Sequence, residues 1–477
     1  MLFRQITDST LAQYAYLIGC QRTGEAIVFD PERDVDQYLD LAAREGLRIV
    51  AVAETHIHAD FLSGARELAE RVGARVFVGA EGGPEWQSKW VGPYAHTPLR
   101  DGDTFRVGNI RFQAVHTPGH TPEHVSYLVT DLGGGATEPI GMITGDFVFV
   151  GDLGRPDLLE SAAGAQGVAE PSAHALWRSA SRFVKLADSI QVWPAHGAGS
   201  ACGKALGAIP QSTVGYEKAN SHALKLVGSE SAFVKDILAG QPEPPLYFAR
   251  MKALNRDGVP VLGKLPSPTR IDAAAAKALG DAVTVIDTRP WAAFRDGHLP
   301  GSIHAPPGKM FPMIAGSYAD PASRIVLVAD PARVDGLVRD LVRIGYDRIE
   351  STVAPEDLAR AAGLARSAEC TAQEAATRRT DAFVLDVRGA AEHATASLEG
   401  ATNIAYTRLL PRLSELPKDR PILVHCALGG RSAAATALLE RHGFRVTNLA
   451  GGFEGWRKAG LPTALPKGAA GSATARG

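Results

Sequence analysis

Short apolar runs, broken by turns and ending in polar residues, dominate the first half of the chain. "LAQYAYLIG" (11–19) and "EAIVFD" (25–30) read as paired strands. "VDQYLDLAAREG" (35–46) has apolar positions at helical spacing and stops at a glycine. "LRIVAVAETH" (47–56) reads as a buried strand that runs into a polar cluster. "IRFQAVHTPGH", "HVSYLVTD" and "IGMITGDFVFV" repeat this arrangement: an apolar stretch ending in or near His, Asp or Gly. In α/β scaffolds such strand ends are where chemistry is placed.

The pattern changes near residue 240. "GQPEPPLYF" (240–248) and "VLGKLPSPTR" (261–270) are rich in turn formers and predict a linker over 241–267, with a boundary between 235 and 268. Beyond it lies an internal repeat. "VTVIDTRPWAAFRDGHLPGSIHAP" (283–306) matches "AFVLDVRGAAEHATASLEGATNIA" (382–405), and "IVLVADPARVDGLVRDLVRIGYDRI" (325–349) matches "PILVHCALGGRSAAATALLERHGFRV" (421–446). Two strand–helix–strand–helix copies predict tandem doubly wound α/β domains over 268–355 and 363–466. The N-terminal domain is expected over 1–240, and "PKGAAGSATARG" predicts a disordered tail over 467–477.

At 477 residues, several domains are expected. The net charge of -2 supplies no basic field for nucleic acid or an anionic membrane. There is no apolar run of about 18 residues to span a bilayer, and "MLFRQITDST" lacks the marks of a secretory signal, so a cytoplasmic location is expected. Cys20, Cys202, Cys370 and Cys426 are too scattered for a disulfide framework or a CxxC zinc site. Each thiol is judged singly.

Cys426 ends the strand "PILVH" and is followed by Ala-Leu-Gly429-Gly430-Arg431 and a strong helix, "SAAATALLERHGF". Loop N–H groups and the helix dipole would stabilise a thiolate or persulfide anion, and Arg431 adds charge for an anionic sulfur donor. With "LDVR" upstream and "NLAGGFEGW" downstream, this loop resembles the active-site loop of rhodanese sulfurtransferases. Four residues separate Cys426 from Arg431, one fewer than a tyrosine phosphatase needs to cradle phosphate. The resemblance implies that Cys426 forms a persulfide and that Arg431, Gly429 and Gly430 bind its donor. In the first copy Asp330 aligns with Cys426, and "DPAR" is shorter and glycine-free, which predicts a scaffold or interface module without sulfur chemistry.

In the N-terminal half, His56-x-His58-x-Asp60, "HTPGHTPEH" (His116, His120, His124), "TGD" (Asp146) and "WPAHG" (His196) follow in this order, each at an expected strand end. They resemble the metallo-β-lactamase fold, an αββα sandwich with metal ligands on its loops. Two-zinc hydrolases of that fold carry H-x-H-x-D-H, whereas Phe61 stands at the last position and has no lone pair. A second metal is therefore disfavoured. His56, His120 and Asp146 can still form the facial triad of two imidazoles and one carboxylate used by non-haem Fe(II) oxygenases.

The set is similar to the persulfide dioxygenase branch of the fold, although that branch often keeps the histidine that Phe61 replaces. The resemblance implies one Fe(II) per chain on His56, His120 and Asp146, with His58, Asp60 and His196 as orienting groups or possible ligands. His116 and His124 are expected to be structural. Arg155 in "GRPD" is expected to meet an anionic substrate. Cys202, six residues after His196, is a candidate second sulfur-carrying thiol, whereas core packing accounts for Cys20 and no role is assigned to Cys370.

Together these features imply a fusion that oxidises a low-molecular-weight thiol persulfide, such as glutathione persulfide, with O2 to sulfite and thiol. Cys426 would exchange sulfane sulfur between thiosulfate and persulfide, in sulfide detoxification or sulfur metabolism, and a homo-oligomer is expected. Two other readings remain open at this point: a zinc thioester hydrolase of the glyoxalase II type, and a sulfur-relay protein that oxidises nothing.

Overall fold

A computed structural model describes residues 1–161 and 166–465; the expected tail at 467–477 lies outside the described residues. The chain divides into two compact units, Met1–Leu265 with Val342–Gly345, and Pro266–Leu341 with Tyr346–Gly477.

The first unit is the expected αββα sandwich. One six-stranded sheet runs in chain order through Leu2–Asp8, Gln13–Cys20, Glu25–Phe29, Arg48–Ala53, Arg75–Gly79 and His96–Leu99. The other runs from Ser212–Thr213 at one edge through Gln191–Pro194, Gly141–Gly145, Val125–Asp131 and Ile110–His116 to Thr104–Val107. Alternation of side chains along each strand explains the unbroken apolar runs, because both faces are covered. Tyr16, Ile18, Ile27 and Phe29 face inward and meet Phe112, Tyr127 and Ile143 of the opposing sheet. Their neighbours Ala15, Leu17, Ala26 and Val28 face outward onto the helices Asp36–Arg44 and Ala65–Val72 through Tyr38, Ala42 and Leu68. Met142 and Val192 lie outward on the second sheet, under the helices Ala169–Phe183 and Glu230–Leu238.

The stretch 241–267 differs from the expected linker. Phe248–Asp257 is a helix of the first unit, ended by Gly258 at φ 121°. Its buried face carries Phe248, Met251, Lys252 and Asn255. The i, i+3, i+4, i+7 spacing is helical, but two of these four residues are polar, which hides the stripe from a hydropathy reading.

The second unit contains two all-parallel five-stranded sheets of identical order. The first is Thr269–Arg270, Ile349–Val353, Arg324–Val328, Val283–Asp287, Ile303–His304; the second is Ala368–Cys370, Val446–Leu449, Ile422–His425, Phe383–Asp386, Thr402–Asn403. The repeat extends to side chains. Asp287 accepts from the backbone N–H and guanidinium of Arg289 as Asp386 does from Arg388, and each arginine also donates to a carbonyl eight residues on, Gly297 or Ala396, at 2.7 Å.

The register corrects one alignment. Asp287 pairs with Val328, and Asp386 pairs with His425. Ala329, not Asp330, is thus the counterpart of Cys426. Asp330 lies one residue further on, where its carboxylate caps the turn Pro331–Arg333 by accepting from the Ala332 N–H. The first copy still lacks a nucleophile, now because a methyl group occupies the position.

Candidate active sites

Four strand ends of the sandwich deliver the N-terminal cluster. His56 follows Arg48–Ala53, His120 follows Ile110–His116, Asp146 follows Gly141–Gly145 and His196 follows Gln191–Pro194. Gly145 has φ 54°, and a Cβ there would lie 2.6 Å from both His124 Nε2 and Thr55 Oγ1, so only glycine lets the chain turn Asp146 inward.

Hydrogen bonding decides which ring nitrogens face the centre. His120 Nδ1 donates to the Arg155 carbonyl at 3.0 Å, and His196 Nδ1 donates to the Ala12 carbonyl at 3.2 Å. The Thr55 hydroxyl donates to Asp30, so its oxygen accepts from His56 Nδ1 at 3.0 Å. All three imidazoles therefore turn a bare Nε2 inward. Nε2 of His120 and His196 and both carboxylate oxygens of Asp146 are buried and have no hydrogen-bond partner among the described residues. A buried polar atom left unpaired is costly, and a cation would satisfy these together.

The ligand atoms of His56, His120 and Asp146 lie within 4.8 Å of one another. His120 Nε2 is 3.4 Å and His56 Nε2 is 3.8 Å from Asp146 Oδ2. Burial keeps both imidazoles far below their usual pKa, hence neutral, and pushes Asp146 up to about 6. This donor set fits a divalent transition metal. A second group, Asp60, His196 and Cys202, meets the same distance criterion beside it, with His196 Nε2 3.3 Å from both Asp60 and Asp146. Burial, then Asp146 and Asp60, raise the Cys202 thiol well above its usual pKa.

His58 is turned elsewhere. Its Nε2 lies 3.2 Å from Asp30 and 3.1 Å from Glu54. Burial alone would lower its pKa, but these carboxylates outweigh burial and raise it well above the usual value. Phe61 packs its ring 4.4 Å from that imidazole. His124 Nε2 accepts the backbone N–H of Asp146, and His116 Nε2 bonds the Pro122 carbonyl, which makes both structural.

Arg155, expected at the substrate, is buried, with its guanidinium on Asp157 at 2.7 and 2.9 Å and on the Ala201 carbonyl. Its carbonyl, not its charge, reaches the centre, through His120. The helix Phe248–Asp257 was missed from sequence, and it locks the loop. Asn255 donates to the carbonyls of His58 and Phe61 and accepts from the Ser63 N–H. A narrow cleft lined by His56, Ile57, Trp90 and Asn255 opens beside them.

In the second unit Cys426 follows the strand Ile422–His425 and precedes the helix Gly430–Arg441. Its Sγ accepts from the Gly429 N–H at 3.1 Å and from the Ser432 hydroxyl at 3.5 Å. Gly429 adopts φ 104°, which aims that N–H at the sulfur. Arg431, expected to hold a sulfur donor, makes a bidentate pair with Glu392 at 2.5 and 2.7 Å. The first copy contributes to this region: Met310 lies 3.9 Å from where a Gly430 Cβ would be, and Tyr406 reaches Met313 Sδ at 3.4 Å. Leu428, at the loop tip, is 74% exposed. Cys20 accepts the Asn109 N–H within the sandwich core. Cys370 ends the strand Ala368–Cys370 and packs in the core of the second copy.

Comparison with known proteins agrees with this division. The family model of the metallo-β-lactamase superfamily matches residues 9–196, and that of the rhodanese-like domain matches 272–349 and 371–459. The mitochondrial persulfide dioxygenase ETHE1 of Bos taurus is 27% identical over 198 residues, spanning 41% of this chain and 68% of that protein. Hydroxyacylglutathione hydrolase of Gloeobacter violaceus is 29% identical over 184 residues, spanning 38% of this chain and 63% of that protein. A solved metallo-β-lactamase from Staphylococcus aureus subsp. aureus COL is 39% identical with a TM-score of 0.67, covering 74% of this chain and 99% of that one. Among the described residues no helix is long and apolar enough to cross a membrane.

Proposed function

For a chain that belongs to the metallo-β-lactamase superfamily and continues into two rhodanese-like domains, we propose a persulfide dioxygenase coupled to a sulfurtransferase. The observation that carries the reading is the convergence of buried donor atoms from His56, His120 and Asp146, those of His120 and Asp146 without a hydrogen-bond partner among the described residues, in a chain similar to a persulfide dioxygenase. These residues would hold one Fe(II), which when bound supplies the redox chemistry with O2. Arg155, Thr55 and Ala12 fix the ring tautomers, and His124 fixes the Asp146 backbone. A thiol persulfide, O2 and water would give thiol, sulfite and two protons, so the persulfide is both substrate and reductant.

In the sulfurtransferase, the Cys426 sulfur attacks the sulfane sulfur of thiosulfate. The S–S bond breaks, sulfite leaves, and the Cys426 persulfide passes its outer sulfur to a thiol. The Gly429 N–H and Ser432 hydroxyl stabilise the anionic sulfur throughout.

A two-metal thioester hydrolase is the second reading, and Asp60, His196 and Cys202 favour it as a further donor group. Oxygen-electrode measurements with glutathione persulfide separate the two. Persulfide-dependent O2 uptake with matching sulfite is expected; no uptake with any low-molecular-weight persulfide would leave only hydrolysis or sulfur relay.

A further inference from the structure

The mechanism above leaves one buried charge unused. Lys252 lies on the helix Phe248–Asp257, one turn before Asn255 and on the same buried face. Its side chain is lysine's long flexible stem and ammonium, yet the residue is 9% exposed and Nζ has no hydrogen-bond partner among the described residues. The ammonium stands 5.1 Å from the centroid of the Trp86 ring. Asn255 clamps the loop that carries His58 and Phe61, so Lys252 projects from a helix already docked on the site. Glu123 faces the same region. Its Oε1 accepts the N–H of Ile57, next to His56, while Oε2 is buried and has no hydrogen-bond partner among the described residues.

The surroundings say what is missing. The charges acting on Lys252 are Glu123 first, then Cys202, Asp146 and Asp60, and the ammonium in turn disfavours protonation of His56 and His120. Burial lowers the Lys252 pKa from its usual value. A buried amine with no hydrogen-bond acceptor destabilises the ligand-free fold. Such a cost is offset where a ligand supplies the missing hydrogen-bond acceptor. The ligand that fits is a small anion drawn to the inward-facing centre.

We propose that Lys252 forms an anion subsite beside the His56–His120–Asp146 centre. It would receive the anionic sulfur group, the perthiolate of the incoming persulfide and then the sulfite product. The assignment rests on the persulfide reading above and makes Lys252 its charge-recognising residue, the role expected from sequence for Arg155.

The test compares the wild-type protein with Lys252→Met, Lys252→Gln and Lys252→Arg, all purified anaerobically and analysed for metal. Sulfite affinity is measured by calorimetry without O2, the persulfide KM by O2 uptake, and stability by thermal melting. Lys252→Met and Lys252→Gln are expected to retain metal, to melt no lower than wild type, and to weaken sulfite binding and raise KM at least about tenfold. Lys252→Arg should keep sulfite affinity within about threefold, since it preserves the charge. Unchanged sulfite affinity in Lys252→Met with full metal content would overturn the assignment. So would loss of fold or metal in both neutral variants, because the amine would then be structural. If the wild type consumes no O2 but binds sulfite in a Lys252-dependent way, the oxidative reading fails and the anion subsite stands.

Discussion

Replacing His120 with alanine is expected to release the metal and reduce persulfide-dependent O2 uptake more than about 100-fold, beyond the loss typical of an orienting partner. His120 Nε2 is one of the buried atoms without a hydrogen-bond partner among the described residues, and its Nδ1 bond to the Arg155 carbonyl aims it inward. The variant leaves His56 and Asp146 as a bidentate remnant. The fold should survive, because alanine removes an unpaired buried nitrogen as well as a ring, and the sheets are held by the separate core around Phe29, Phe112 and Tyr127. Metal analysis by mass spectrometry, with circular dichroism as the control for folding, checks this. A folded variant with full metal content would show that His120 is not a ligand.

Cys426→Ser is expected to lower transfer of sulfur from thiosulfate to a thiol by at least about 10⁴-fold, the scale of removing a covalent nucleophile. A serine hydroxyl would keep the bonds to the Gly429 N–H and Ser432, but it does not ionise near neutral pH and cannot carry a sulfane sulfur. Because Cys426 and the histidine cluster belong to different compact units, O2 uptake with glutathione persulfide should stay within about twofold of wild type. Parallel assays on one preparation decide the matter; loss of both activities would contradict independent sites.

The strand ends of the sandwich were legible because both faces of its central strands are buried, so apolar runs stop abruptly at the polar residues that form the site. The tandem domains were legible from Asp287-x-Arg289 and Asp386-x-Arg388, whose ion pairs recur atom for atom. What was missed depended on three-dimensional partners. Lys252 and Asn255 occupy a buried helix face, and polar residues there read as a solvated linker. Arg155 looks like a free guanidinium in "GRPD" until the structure shows Asp157 taking it up. The offset of one residue at Ala329 could be fixed only by the pairing of Asp287 with Val328, the residue before it, since the loops that follow differ in length. Cys202 lies far in sequence from Asp60 yet comes together with it and His196, a proximity no spacing rule encodes.

The proposed centre is a single iron held by two imidazoles and a carboxylate. Metal content of the full-length protein after anaerobic purification tests it most directly. About one iron per chain with little zinc is expected, as the donor set and open positions of a facial triad imply. Two zinc ions per chain, with Asp60, His196 and Cys202 holding the second, would contradict it.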